Sequence, residues 1–394
     1  MGVSKKLVTP NERDKSKFVG GEVALPTGKD MSNSSVILEF NKEADGVVES
    51  LSAALFAKGH LWVASDEATS VERLSTSDNL TFDRHRSFPL GDLVHLPALG
   101  TDFDQEVDIE GMEFQGDFLW VVGSHSIKRK NIKKVKNGIA DNGPGQIKRL
   151  AKIERGGNRY LLARIPMVSN AQTGAVELSA STGNRRSAQL PGGVDTNALT
   201  DAIKGNGQGQ GDPHLAPFMD IPGKDNGFDI EGLAIAGERV FIGLRGPVLR
   251  GWAVILELSF NPDAGSHLEL KDIGLGGRLY RKHFLQLKGL GLRDMFFAGT
   301  DLIMLAGPTM DLDGPTAVLK WEGAANSNSD SIIRSNDLRM LFTVPHGDGN
   351  DHAEGMTMMP ADGTPARVFI VYDSPANHRI IGCNGIRADV FRLP

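Results

Sequence analysis

Three glutamates, an arginine and a serine stand at matching places in this chain of 394 residues: Ser52, Glu110, Glu231, Arg293 and Glu354. The intervals between them are 58, 121, 62 and 61 residues. Carboxylates brought together repel, and burial makes their charge costly, so a cation, protons or Arg293 must balance them. One chemistry for such a ring is a hard divalent ion, calcium in preference to magnesium. It would take oxygen ligands from Glu110, Glu231, Glu354 and Ser52, with water completing the shell. The plainer alternative is that the glutamates cap backbone amides or pair with arginine between repeats. Cysteine and histidine at zinc spacing are absent.

Each of these residues opens a similar stretch. Asp108-Ile109-Glu110-Gly111-Met112 runs through a Gly116-Asp117 turn into the apolar Phe118-Leu119-Trp120-Val121-Val122. Asp229-Ile230-Glu231-Gly232-Leu233 aligns with it without a gap, and weaker copies begin at Ser52, Arg293 and Glu354. A strand-turn-strand unit repeated at this period predicts a propeller or solenoid. A third strand follows most pairs, at Tyr160–Ile165, Val254–Leu258, Ala317–Trp321 and Val390–Leu393. Fourth strands are expected at Phe218–Ile221, Phe284–Leu287 and Leu341–Val344. The last copy has no fourth strand of its own, so Val36–Phe40 is expected to supply it and close the ring. The fold class is therefore all-β, a single propeller of five four-stranded blades. Six is the alternative if the 121-residue interval hides a lost copy.

The propeller is assigned to residues 34–394, after a polar, flexible arm at 1–33. Two insertions lengthen the second blade. The first, 126–159, carries eleven Lys or Arg against Asp141 and Glu154; the second, 168–211, is rich in Gly, Ser and Asn with a short helical pattern at Thr196–Lys204. Both are read as mobile loops.

Loops at one end of the blades add further polar residues, which is where a site on a rigid scaffold belongs. These include Asp66, Asp104, Asp108, His125, Asp229, Arg245, His352 and Asp373. His125 and His352 are the candidate general bases, since histidine titrates near neutral pH. Lys128, Arg129, Arg245 and Arg293 could hold the anionic group of a small ligand, with Asp108 and Asp229 beside them. For each histidine the bland reading is a bond to a neighbouring loop, and for the basic insertion a solvated loop.

Formal charge is −6 and the sequence pI about 6.0, which gives no general reason to expect nucleic acid or membrane. The basic run lacks interleaved aromatics, which argues further against nucleic acid. Cys383 is the single cysteine, so no internal disulfide forms. The start of the chain lacks a signal-peptide apolar core, and no stretch is apolar enough to span a bilayer as a helix. The expected location is cytoplasmic, although an exported protein with its signal removed would look the same. Asp311-Leu312-Asp313-Gly314 resembles the start of a calcium loop but lacks the closing glutamate, so it is read as a turn.

The stretches from Asp108 to Met112, from Val122 to Lys130, Phe228–Leu233 and Asp351–Met356 resemble a bacterial family known only as a domain of unknown function, over most of the chain from about Val36. The family supplies no activity to carry over. More distantly, the Asp-x-Glu-Gly-Leu repeat is similar to the esterase-like phytase group. A five-blade ring with Ser and Glu at the inner strand starts also resembles the calcium-dependent apyrases. That resemblance implies calcium at Ser52, Glu110, Glu231 and Glu354, and Arg293 departs from its pattern. Two functions stay open. One is a metal-dependent hydrolase of a phosphoester or carboxylic ester at the channel mouth; the other is a non-catalytic propeller that binds a ligand or protein.

Overall fold

The computed structural model describes residues 34–41, 44, 46–100, 105–132, 143–205, 210–261, 265–359 and 366–394. The expected arm at 1–33 and Asp104 lie outside these residues.

Five sheets follow one another along the chain, each with its earliest repeat strand at one edge and its blade strands antiparallel; Thr81–Phe82 and Ser331–Ile333 add in parallel to the outer edges of the fifth and third. Blade 1 is Leu51–Ala57, His60–Ser65, Ser70–Leu74 and Arg86–Pro89. Blade 2 is Ile109–Gln115, Phe118–Gly123 and Leu162–Ser169, with the short strands Val176–Leu178 and Ala188–Gln189 outside them. Blade 3 is Asp229–Ala236, Arg239–Gly246, Trp252–Ser259 and Arg281–Gln286. Blade 4 is Gly291–Ala298, Asp301–Gly307, Thr316–Trp321 and Leu338–Val344. Blade 5 is His352–Met358, Arg367–Asp373 and Gly385–Arg392, closed by Ser34–Glu39 from the N-terminal side. Closure by the first strand is thus as expected, and the long interval holds one blade, not two.

The fourth strand of blade 2 differs from expectation. Phe218 ends a 3-10 turn, Ala216–Phe218, and the outer edge is instead built from the second insertion. That insertion also holds the helix Ala198–Lys204. Asn197 caps it through Leu199 N and Thr200 N, and Gly205 ends it with φ 74°. The described parts of both insertions are hydrogen-bonded elements rather than loose loops. In the first, Ile127–Arg129 pairs with Ile153–Arg155, and Gly143–Leu150 is helical. Among the described residues no helix is long and apolar enough to cross a membrane.

The core lies between the blades. Five hydrophobic clusters are present, each joining two neighbouring blades, and one of them joins blade 5 to blade 1. The second strand of blade 2 shows why its apolar run is continuous. Leu119 and Val121 pack towards blade 1, while Trp120 and Val122 pack towards blade 3. A strand alternates its side chains between two faces, and here both faces are buried.

The repeat glycine makes this seam close. A Cβ on Gly111 would stand 2.8 Å from Leu233 Cβ and 2.9 Å from Leu233 N. Gly111→Ala is therefore expected to destabilise the protein by about 1–3 kcal/mol through overpacking, measured by urea unfolding. The turn at Gly116-Asp117 has φ 57° and 65°, both left-handed, as a two-residue type I′ hairpin requires.

Candidate functional site at the channel mouth

The ring residues share one backbone feature. In the inner hairpin of every blade the register slips by one residue. It slips between Leu51 and Ala53, Ile109 and Gly111, Ile230 and Gly232, Leu292 and Asp294, and Ala353 and Gly355. The skipped residues are Ser52, Glu110, Glu231, Arg293 and Glu354. Each is the extra residue of a β-bulge, a device that re-aims a side chain out of the normal pleat. The five-fold recurrence explains how a polar residue survives at the head of an otherwise buried strand.

Half of this ring is an ion-pair chain. Arg293 Nη1 donates to Glu231 Oε2 at 3.1 Å and to Glu354 Oε1 at 2.5 Å. Its Nη2 donates to Pro308 O at 3.1 Å. Arg245 Nη1 donates to the other oxygen of Glu231 at 2.6 Å, and its Nη2 to Met310 O. Burial works against the Arg245 charge, but Glu231, Asp229 and Glu354 outweigh it and raise its pKa.

The other half is not paired this way. Ser52 Oγ donates to Ile109 O at 2.5 Å, tying blade 1 to blade 2. Glu110 is 8 % exposed and has no hydrogen-bond or ion-pair partner for its carboxyl group among the described residues. Burial, then Glu231, Asp108, Glu354 and Asp66, push it well above the usual carboxylate range. Asp229, 5 % exposed, is in the same position; burial and Glu231 push it up to about 7. Asp66 has a wholly buried Oδ1 without a partner, and burial with Asp108 pushes it up to about 9. Asp108, at φ 56°, is held by Arg159 Nη1 at 2.8 Å.

These groups line one cavity of about 470 Å³, the size of a small-ligand site. Its walls take Asp66 and Asp373 from blades 1 and 5, Asp108 and Glu110 from blade 2, and Asp229, Glu231 and Arg245 from blade 3. The basic insertion forms its rim with Lys128, Arg129 and Lys130. Lys128 pairs with Glu106 at 3.0 Å and Arg129 with Asp225 at 2.7 Å. The insertion is thus part of the site, not a separate solvated loop.

Neither candidate histidine, His125 nor His352, is among the residues that line the cavity. They differ in their surroundings. His125 is 2 % exposed, with Nδ1 2.8 Å from Gly123 O and Nε2 2.6 Å from Asn197 Nδ2. Burial lowers its pKa to about 4, so it stays neutral and locked, Nδ1–H donating to Gly123 O and Nε2 accepting from Asn197. His352 is half-buried between Asp373, 3.8 Å from Nδ1, and Asp313, 2.9 Å from Nε2, and these carboxylates raise its pKa. An NMR pH titration should show His352 protonating above the ordinary 6.5 and His125 remaining neutral down to about pH 4.

The expected metal ligands do not form a coordination sphere. Among the described residues no three Asp, Glu, His or Cys side chains are grouped so as to hold one ion. Glu231 and Glu354 are spent on arginine, and the Ser52 hydroxyl on a carbonyl. Asp66 and Asp373, expected among the loop residues at this end, occupy the place that Arg245 holds in blade 3. Arg159 has no repeat counterpart and could not be found from the repeat alignment.

Solved structures similar to this chain include glutaminyl cyclase from Myxococcus xanthus, at 10 % identity and TM-score 0.35, covering 91 % of this chain and 98 % of that one. A putative oxidoreductase (glucose dehydrogenase) from Thermus thermophilus has 11 % identity and TM-score 0.35, covering 91 % and 100 %. The PQQ-bound aldose sugar dehydrogenase of Streptomyces coelicolor has 12 % identity and TM-score 0.36, covering 91 % and 98 %. At these values the likeness carries nothing about activity. No curated protein matches the sequence. The family model described as protein of unknown function (DUF3616) matches residues 50–389, and the chain, a five-bladed propeller with a polar cavity at its channel mouth, belongs to that family.

Proposed function

We propose that the channel mouth binds a small polar ligand through a positively charged or hydrogen-bond-donating group seated on Asp66, Glu110 and Asp229. The observation that carries this is Glu110 itself, a buried carboxyl group lining a ligand-sized cavity with no partner among the described residues. Its carboxyl group borders the cavity, where a donor on a ligand can reach it. The cationic rim at Lys128 and Arg129 would face any anionic part of the same ligand. Melting temperature followed at low ionic strength against calcium, magnesium and organic amines tests the reading. A ligand at about a hundred times its Kd stabilises by about 2.7 kcal/mol, and that gain should vanish in Glu110→Gln. A panel without any Glu110-dependent shift would sink the proposal.

A second reading, hydrolysis of a phosphoester or carboxylic ester, is favoured by Asp66. Its raised pKa would keep it protonated at neutral pH, close to other carboxyl groups. A proton-bearing acid beside a carboxylate is the pairing that general acid–base hydrolysis uses. Lys128 and Arg129 would then hold the ester's anionic group. Turnover of p-nitrophenyl phosphate or acetate, reduced about 100-fold or more in Asp66→Asn, would favour this reading; no turnover by the wild type would leave binding alone.

A further inference from the structure

We infer that the ligand of this cavity is an organic cation with more than one donor group, a guanidinium or polyamine compound, rather than a metal ion. The inference rests on the binding reading above and narrows its ligand class. Three carboxyl groups from three blades face the cavity without hydrogen-bond or ion-pair partners among the described residues: Asp66, Glu110 and Asp229. Glu110 and Asp229 are more than nine-tenths buried. The arginines in the same walls are already engaged. Arg245 holds Glu231 and Met310 O, and Arg159 holds Asp108 and Glu106. Apart from Arg245 and Lys224, whose attraction only partly offsets the rise at Asp229, no cation among the described residues balances these carboxyl groups, and they hold protons instead.

A bare divalent ion is a poor answer to this arrangement. Calcium needs six to eight oxygens about 2.3–2.6 Å from one point, and no three of the described acidic, histidine or cysteine side chains are grouped to hold one ion. An extended cation meets separated carboxylates with separate donors. A guanidinium carries five N–H donors in a fixed plane, and an ammonium carries three. Charge-assisted hydrogen bonds in a site shielded from water are the strong kind. Because the vacant carboxyl groups hold protons, loading the cation would expel them, so binding would release protons near neutral pH.

The test is calorimetric titration of the full chain at low ionic strength with agmatine and spermidine, and separately with calcium chloride and inorganic phosphate. Titrations in buffers of different ionisation enthalpy read out proton release. Agmatine or spermidine binding with proton release, weakened tenfold or more in both Glu110→Gln and Asp229→Asn, is the expected result. The two isosteric variants guard against one of them misfolding. Calcium binding that depends on Glu110, without amine binding, would overturn the organic-cation class and leave the binding reading standing. Phosphate binding insensitive to Glu110→Gln, or no binding by any probe, would overturn both.

Discussion

Asp229→Asn is expected to make the ligand-free protein more stable than the wild type at about pH 8, and to flatten the fall in stability above about pH 5. The sign follows from proton counting. The Asp229 carboxyl titrates near 3.8 in the unfolded chain and at about 7 in the folded one. Between those values the folded state holds a proton that the unfolded state has lost. Stability from this group is complete below about pH 4 and disappears as pH rises through about 7. About three pKa units correspond to a ceiling of about 4 kcal/mol, and relaxation around a coupled site brings the expected difference to about 2 kcal/mol. Asp66, pushed up to about 9, extends the same trend to higher pH. Urea unfolding of both proteins at about pH 5 and pH 8 reads this directly. A variant less stable than the wild type at pH 8 would mean that Asp229 has a stabilising partner, and the unpaired-floor picture would be wrong.

Arg293→Met should have the opposite effect and a larger one. Arg293 is 6 % exposed and bridges two buried carboxylates on neighbouring blades, besides donating to Pro308 O. Removing it leaves Glu354 and one oxygen of Glu231 buried without their cation. Breaking a buried pair in this way costs about 3–5 kcal/mol. Arg293→Lys should recover only part of the loss, because an ammonium cannot span both carboxylates and the carbonyl as the planar guanidinium does. In the double variant Arg293→Met with Glu354→Gln the loss should shrink, since one stranded charge is gone. Urea midpoints of the four proteins complete the cycle. Equal loss with and without Glu354→Gln would show that Arg293 acts through packing alone.

The site is partly legible in the sequence. Glu110, Glu231, Glu354, Ser52 and Arg293 are at one end of the channel because the repeat puts them there, and Asp108 and Asp229 follow from the same alignment. Arg245 joins them at the end of its strand. His125 misleads. Its sequence neighbourhood, between Ser124 and Lys128, suggests a loop over the site, yet its left-handed backbone at φ 54° accompanies a ring buried against Asn197, 72 residues away. The second insertion reads as filler, but Val176–Leu178 and Ala188–Gln189 complete the outer edge of blade 2. Short strands of this kind carry too little periodicity to be seen without their partners.

Sequence alone determined the period, the closure by the N-terminal strand and the polar ring, because these follow from side-chain alternation and from the repeats, and it favoured five blades; the structure decided five over six by filling the long interval with one blade. Tertiary structure decided which acids are balanced. Whether Glu231 meets Arg245 and Arg293 while Glu110 meets no cation depends on separations of a few ångströms between blades. At that range and in a buried setting, small changes in distance change the Coulomb energy by several kcal/mol. The β-bulges that aim these side chains carry no local sequence mark beyond a following small residue, and blade 4 lacks even that, with Asp294 in its place. The chemistry of the channel mouth therefore comes from the registry of five strands against one another, which only the folded ring supplies.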